Sequence, residues 1–339
     1  MAQHTNTQQE PAQHEEILQP DLPIIDAHHH LWERPGSRYL LHDYLAEAHT
    51  GHNIRASVFI ECGSFYRKSA PELMAPVGQT EFANGMAAMA ASGAYGDTLV
   101  CAGVIGTADL RAGADVARVL DAQIAAAGDR FRGIRFITKW DADEALNTGR
   151  YEPPRSLMQD SAFRAGFATL GPRKLSFDAM VYHPQHLELA DLARAFPDTT
   201  IVVNHVGGPL AYTRSYLARK DEALAQWRSS LHELAKSSNV YMKLGGLGMS
   251  YLGLGLDKLD VRPSSERLAN AWRPFFEPCI ESFGPARCMF ESNFPPDRES
   301  ADFPLLWNAF KRVAARYSAE EQRALVHDTA ARAYRLNLA

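Results

Sequence analysis

Short apolar runs rich in β-branched residues recur along the chain, and the stretches between them repeat apolar positions with helical spacing. The runs read LPIIDAH, ASVFIEC, TLVCAGVIG, FRGIRFIT, LSFDAMVY, TTIVVNHV, NVYMKLGG and RCMFESNF, eight in all. Their nearly unbroken apolar character predicts strands covered on both faces, the signature of a parallel sheet wrapped by helices. Segments such as TEFANGMAAMAASG, GADVARVLDAQIAAAG, HLELADLARAF, EALAQWRSSLHELAKSS and SERLANAWRPFFEPCIESF supply those helices. No composition shift or linker interrupts the series, and no glycine-rich phosphate fingerprint follows the first run. The pattern therefore predicts a (β/α)8 TIM barrel over residues 22–339 as one domain, preceded by a flexible tail at residues 1–21.

In such a barrel the carboxyl ends of the strands face the active site, so the polar residues found there carry the chemistry. They are His28 and His30 after the first strand, Glu61 after the second, Arg135 and Lys139 on or after the fourth and His183 after the fifth. His205 follows the sixth, Lys243 lies on the seventh, and Glu291 and Asn293 follow the eighth. Residues two apart on a strand share a face, so His28 and His30 point into the mouth while His29 packs under the barrel wall. Four imidazoles from three strands converge on one mouth, and imidazole binds divalent metal, accepts a proton near neutral pH or polarises a carbonyl. His28, His30 and His183, with His205 nearby, match the three-ligand pattern of a catalytic zinc site.

Composition narrows the partners. The 339 residues are 46% hydrophobic, enough for a sizeable core. A formal charge of −5 and a pI near 6.2 offer no broad basic surface for nucleic acid. No run is long enough to span a membrane, and the N-terminal segment has no signal-peptide core. Four cysteines without CxxC spacing suit a reducing compartment. These features predict a cytoplasmic protein acting on a small molecule, with homo-oligomerisation left open.

The motifs DAHHHLW, RGIRF, YHP, VVNHVGGP, YMKLGG and MFESNFP, in that order from about residue 22 to the C-terminus, resemble the amidohydrolase superfamily. The likeness is to the amidohydrolase-2 branch, which contains the 2-pyrone-4,6-dicarboxylate lactonases and the sugar-acid lactonases. It implies the same barrel, hydrolysis of a lactone or related carbonyl compound, and one divalent metal such as zinc or none, depending on the member. One departure stands out. Members of this branch carry an aspartate after the eighth strand in a pattern like GSDWP, whereas this chain reads ESNFP, with Asn293 in the aspartate's place. An amide cannot take a proton but can orient a water or donate to an oxyanion. The base then falls to His183 or His205, with Glu291 and Asp297 as the other candidates, and Glu291 has an ion pair with Lys243 or Arg135 as its structural alternative.

The expected reaction is attack of water on a ring carbonyl. His28, His30 or a bound ion polarises the oxygen, and Arg135 holds a substrate carboxylate. Glu61, Tyr66, Arg67, Lys243 and Arg214 are the further substrate-binding candidates, from the strand ends and the loops CGSFYRKSAPE and GGPLAYTRSY. The segment GGLGMSYLGLGLDK reads as a mobile lid, and Trp140 and Tyr151 as aromatic contacts. Two other readings stay open: a metal-dependent decarboxylase or hydratase on the same barrel, and a barrel that has lost catalysis and only binds a ligand.

Overall fold

Strands that are apolar on both sides must be covered on both sides, and the chain achieves this by following each barrel strand with a helix. The structure, a computed structural model, describes residues 15–147 and 152–338. The strands are β1 (Ile24–His29), β2 (Trp32–Arg34), β3 (Ser37–Tyr39), β4 (Ile54–Ile60), β5 (Leu99–Gly106), β6 (Phe131–Ile137), β7 (Ser176–Met180), β8 (Ile201–Val203), β9 (Val240–Leu244) and β10 (Cys288–Phe290). β2 and β3 form a small antiparallel hairpin after the first barrel strand. The other eight make one parallel sheet in the order β1-β4-β5-β6-β7-β8-β9-β10. The sheet closes where Asn293 N donates to the His28 carbonyl and His30 N to the Phe294 carbonyl, both at 2.8 Å. The fold is a (β/α)8 barrel.

The helices are α1 (Leu41–Ala48), α2 (Val77–Ala90), α3 (Ala117–Ala127), α4 (Ser161–Phe167), α5 (His186–Ala195), α6 (Lys220–Ala235), α7 (Ser265–Phe283), α8 (Phe303–Ala314), α9 (Ala319–Arg323) and α10 (Thr329–Ala333). Local chemistry starts several of them. Asp160 accepts from Phe163 N at the head of α4, and Ser264 from Arg267 N at the head of α7. α8 turns Phe303, Leu306, Trp307 and Phe310 onto the sheet.

Two cores result. The larger lies between strands and helices, and includes Phe163, Phe177, Trp227, Trp272, Phe276 and Trp307. The smaller fills the barrel's lower interior with Ile25, Ala27, Ala56, Val58, Ile105, Val202 and Met289, and is plugged by Ala330, Ala333 and Tyr334 at the end of the chain. That plug closes the end opposite the mouth.

Several expectations need adjustment. Of the residues expected in a tail, Glu15 accepts from Ser265 N at 2.7 Å, and Lys311 Nζ donates to the carbonyls of Leu18 and Gln19. The chain is thus tied down from residue 15, ahead of β1. The glycine-rich stretch after β9 begins as a clamp: residues 244–248 are buried. A Cβ on Gly246, whose φ is +71°, would stand 2.3 Å from His205 Nδ1, so only glycine lets that backbone meet the imidazole. Tyr151 lies outside the described residues.

Buried imidazoles make this fold acid-sensitive. Burial lowers His29 and His186 to about 3 and His52 and His183 to about 4, and it holds His28 and His30 well below the ordinary value. Below about pH 6.5 the unfolded chain takes up protons that these folded groups refuse, so stability falls as the pH drops toward the folded values. Asp26, lifted by burial to about 6, and Asp297, lifted to about 8, act the other way, because the folded chain keeps protons that the unfolded one has released. Each such imidazole costs about 2 kcal/mol by pH 5, from ~1.36 kcal/mol per unit over roughly 1.5 units, and the imidazoles outnumber the opposing carboxyls. Thermal melts should show Tm falling from about pH 7 to about pH 5; a Tm that rises over that range would contradict this balance.

Candidate active site

The residues that gather at the mouth come from strand ends, as barrel geometry requires. His28 and His30 leave β1 on the same side, with their Nε2 atoms 3.2 Å apart. His29 turns outward, pairs with Ser57 Oγ at 2.9 Å and packs against Tyr44 in a tilted contact with ring centroids 4.3 Å apart. The alternation ends at Asp26, whose carboxylate accepts from Ser292 N and Oγ and from Tyr44 and plays no part at the mouth.

Glu291, one residue past β10, is the centre of the cluster. It is fully buried. Its Oε1 accepts from His205 Nδ1 at 2.7 Å and from His205 N at 3.1 Å, and its Oε2 lies 2.7 Å from His28 Nδ1. Gly245 makes this approach possible, since a Cβ there would stand 2.3 Å from the Glu291 carbonyl oxygen and 2.4 Å from Glu291 Cγ. Lys243 Nζ is 3.9 Å away and belongs to Asp178, at 2.8 Å. The expected ion pair of Glu291 with Lys243 is present as this longer contact, while two imidazoles are the nearer partners of the carboxylate.

Hydrogen-bond partners fix the tautomers. His205 donates from Nδ1 to Glu291, which leaves a lone pair on Nε2. His30 donates from Nδ1 to the Ile60 carbonyl at 2.8 Å, which leaves its Nε2 an acceptor. His183 Nδ1 accepts from Leu210 N at 3.4 Å, so its proton sits on Nε2, with the Gln226 side chain beside the ring. The low value of about 4 for His183, set by burial, keeps that ring neutral. Burial works to raise Glu291, but His205 and Lys243 overcome it and hold the carboxyl below its ordinary value.

The buried charges near the mouth pair off. Arg135 Nε binds Glu61 at 3.0 Å and Lys243 binds Asp178, Lys139 is a further buried cation beside Arg135, and Glu291 faces two imidazoles. Ligand atoms of His28, His205 and Glu291 all lie within 4.8 Å of one another. Two nitrogens and one carboxylate oxygen are a donor set that fits a divalent ion of the zinc or manganese type. The expected set of His28, His30 and His183 is not the one gathered. His183 stands outside the group and packs on Tyr216, with ring centroids 5.6 Å apart.

The expected substrate residues divide. Glu61 and Tyr66 line a cavity of about 590 Å³ with Arg111, Phe136 and Ile137, and Glu61 connects it to His28 through Arg135. Arg111 was not singled out from the sequence; its signal is an arginine in the loop directly after β5. Arg135 turns Nε and Nη2 onto Glu61 and offers Nη1 toward His28, 3.4 Å from Nε2, so its fork is not free to clamp a carboxylate. Lys243 lies beneath the imidazoles rather than facing the cavity. Arg67 pairs with Glu81 on the surface, and Arg214 is exposed. Asn293 donates from Nδ2 to Asp297 Oδ1 at 2.7 Å, and Gly248 N donates to Oδ2 at 3.2 Å. Asp297 is thus a buried acid locked to the amide rather than a loop cap. Asp178, inside β7, went unnoticed in the sequence, although an acid within an apolar strand is a visible signal.

A closed parallel barrel with a histidine and carboxylate centre at its carboxyl rim has the architecture of a barrel enzyme. The chain belongs to the amidohydrolase family, whose model matches residues 25–336. It is 32% identical to the uncharacterized protein y4mH of Sinorhizobium fredii, over 93% of this chain and 99% of that protein. It is 28% identical to an L-fucono-1,5-lactonase of Burkholderia multivorans, over 92% of this chain and 96% of the relative. A crystal structure of a Burkholderia multivorans amidohydrolase with bound zinc matches it with TM-score 0.68 and 26% identity, over 93% of this chain and 99% of that one.

The Asn293 and Asp297 pair yields a stability prediction. Asn293→Asp sets two carboxyls in hydrogen-bond contact and removes the donor, which should destabilise the fold by about 1–3 kcal/mol. The exchanged double variant Asn293→Asp/Asp297→Asn restores one donor and one acid and should recover most of the loss. Urea titrations of the three proteins measure this; equal stability of the single and double variants would contradict the assigned hydrogen bond.

Proposed function

We propose that this hydrolase opens a lactone, the cyclic ester of a sugar acid or another carboxylate-bearing acid. The observation that carries the reading is the His205 and Glu291 pair, in which a buried carboxylate holds Nδ1–H and leaves the Nε2 lone pair to act as base. The similarity to an L-fucono-1,5-lactonase over nearly the whole chain supports a sugar-acid lactone.

The reaction runs from water and ring ester to an open hydroxy acid. His205 Nε2 takes a proton as the water oxygen bonds to the carbonyl carbon, and Glu291 stabilises the imidazolium that forms. Arg135 Nη1 donates to the developing oxyanion, a role its position beside His28 suits better than a carboxylate clamp. His183 donates from Nε2 to a substrate oxygen. The ring C–O bond then breaks, and the proton on His205 passes to the departing alkoxide. The cavity beside Glu61 and Tyr66 takes the body of the substrate, with Arg111 on its wall. A divalent ion held by His28, His205 and Glu291 would, when bound, polarise the ester carbonyl. Ion and proton compete for His205, which makes chelation informative.

Turnover of a panel of sugar-acid and aromatic-acid lactones tests the reading. Glu291→Gln and His205→Ala should each lower kcat by about 10²-fold to 10⁴-fold on the active lactone. Activity that survives chelation supports His205 as base; activity lost on chelation and restored by zinc or manganese assigns His205 to the ion. Absence of turnover across the panel, or near-normal kcat in both variants, rejects the proposal.

A further inference from the structure

The amino ends of the strands, on the far side of the barrel from the mouth, carry a group of cations that the reaction above does not use. A cavity of about 290 Å³ opens where β5 and β6 begin, with Arg130 and Arg132 on its wall. Alanines keep it open: Ala87 of α2, Ala102 of β5 and Ala127 of α3 line its apolar side. Arg130 Nη1 donates to Asn84 Oδ1 at 3.0 Å, and Asn84 Nδ2 donates in turn to the Ala126 carbonyl at 3.0 Å. That amide fixes the direction of the guanidinium and leaves its charge uncancelled. Arg132 Nε is buried and has no hydrogen-bond partner among the described residues. Arg335 follows the plug directly, donates to the Lys174 carbonyl and lies close enough for its charge and that of Arg132 to repel.

None of these three guanidiniums has a carboxylate at ion-pair distance among the described residues. Asp129, an exposed residue, is the acid among the described lining residues. It attracts Arg132 from a distance, yet burial outweighs it and holds that guanidinium below its ordinary value. A partly buried cation without a counter-charge is costly, so three that gather at one cavity call for an anion. Three guanidiniums against one carboxylate leave two positive charges over, and a phosphoryl group carries about −1.5 to −2 near neutral pH. The planar fork of arginine suits it, because neighbouring N–H groups grip two oxygens of one oxyanion. The volume suits it too: about 290 Å³ is at the small end for an organic ligand and ample for an oxyanion or a short ester of one.

We propose that this cavity is an oxyanion site that takes a phosphoryl group, free or esterified, on Arg130 and Arg132, at the end of the barrel opposite the reaction. The site stands apart from the lactone reading and holds or falls without it. Isothermal titration of the full chain after chelation tests it, with inorganic phosphate and glycerol 3-phosphate as probes and sodium chloride keeping the ionic strength constant. Wild type should bind phosphate at one site with a Kd of roughly 1 mM or below. Arg132→Gln and Arg130→Gln should each weaken binding about tenfold or more, the loss of a hydrogen bond between charged groups. Arg111→Gln, on the wall of the cavity at the mouth, should leave phosphate affinity within about twofold, which separates the two ends of the barrel. Comparable or tighter binding of glycerol 3-phosphate supports an esterified ligand, and binding of inorganic phosphate alone supports the free ion. If Arg132→Gln does not fold, Arg130→Gln decides, because its side chain is only partly buried and its one partner is a neutral amide. No binding by wild type up to about tenfold above that Kd, or unchanged affinity in the variants at 130 and 132, overturns the proposal, and so does loss of binding in Arg111→Gln alone.

Discussion

One buried carboxylate organises this site. Glu291 sits between His28 and His205, and a charge in that position is tolerable only because imidazole protons, a backbone N–H and a nearby lysine face it. Everything around it follows from that requirement. Gly245 and Gly246 are the residues small enough to let the backbone pass beside the carboxylate and its imidazole. Lys243 must lie below, and Asp178 must lie below that to pair the lysine. The barrel interior is therefore polar in its upper half and apolar only toward the plug.

The same arrangement explains why the site does not resemble a simple ring of free histidines. Each imidazole has one nitrogen committed to a fixed partner, Glu291 for His205, the Ile60 carbonyl for His30 and Leu210 N for His183. Commitment on one nitrogen defines the chemistry of the other. His205 presents a lone pair and His183 a proton, so rings of one residue type take up opposite roles. Burial keeps His183 neutral, which suits it to donate rather than to carry charge. Arg135 is likewise defined by what it already holds: with Glu61 on its fork, only Nη1 remains for an oxyanion.

The acid after the last barrel strand illustrates a compensation. Asn293 occupies the position where the resemblance places an aspartate, and the site still holds acids on either side of it in sequence. Glu291 lies two residues before and faces the imidazoles; Asp297 lies four residues after and binds the amide. The amide thus links the rim to the clamp at Gly248 through Asp297, whose carboxyl burial pushes up to about 8.

Much of this was legible in the chain. Eight doubly apolar runs separated by helical periods determine a barrel, because a parallel strand hidden on both faces and a helix hidden on one have different sequence periods. That barrel in turn placed His28, His30, His183, His205 and Glu291 at one end. Partner choice was not legible. Whether Glu291 meets a lysine or an imidazole, whether Arg135 is free, and whether His183 joins a ligand group depend on side-chain directions across strands distant in sequence. The backbone φ of +50° at Asn293 ends the alternation that would have kept it in line with Glu291. Tyr334 donates to Asp178, 156 residues away in sequence, a contact made only by the closed barrel itself, which brings the chain's last turn under its central strands.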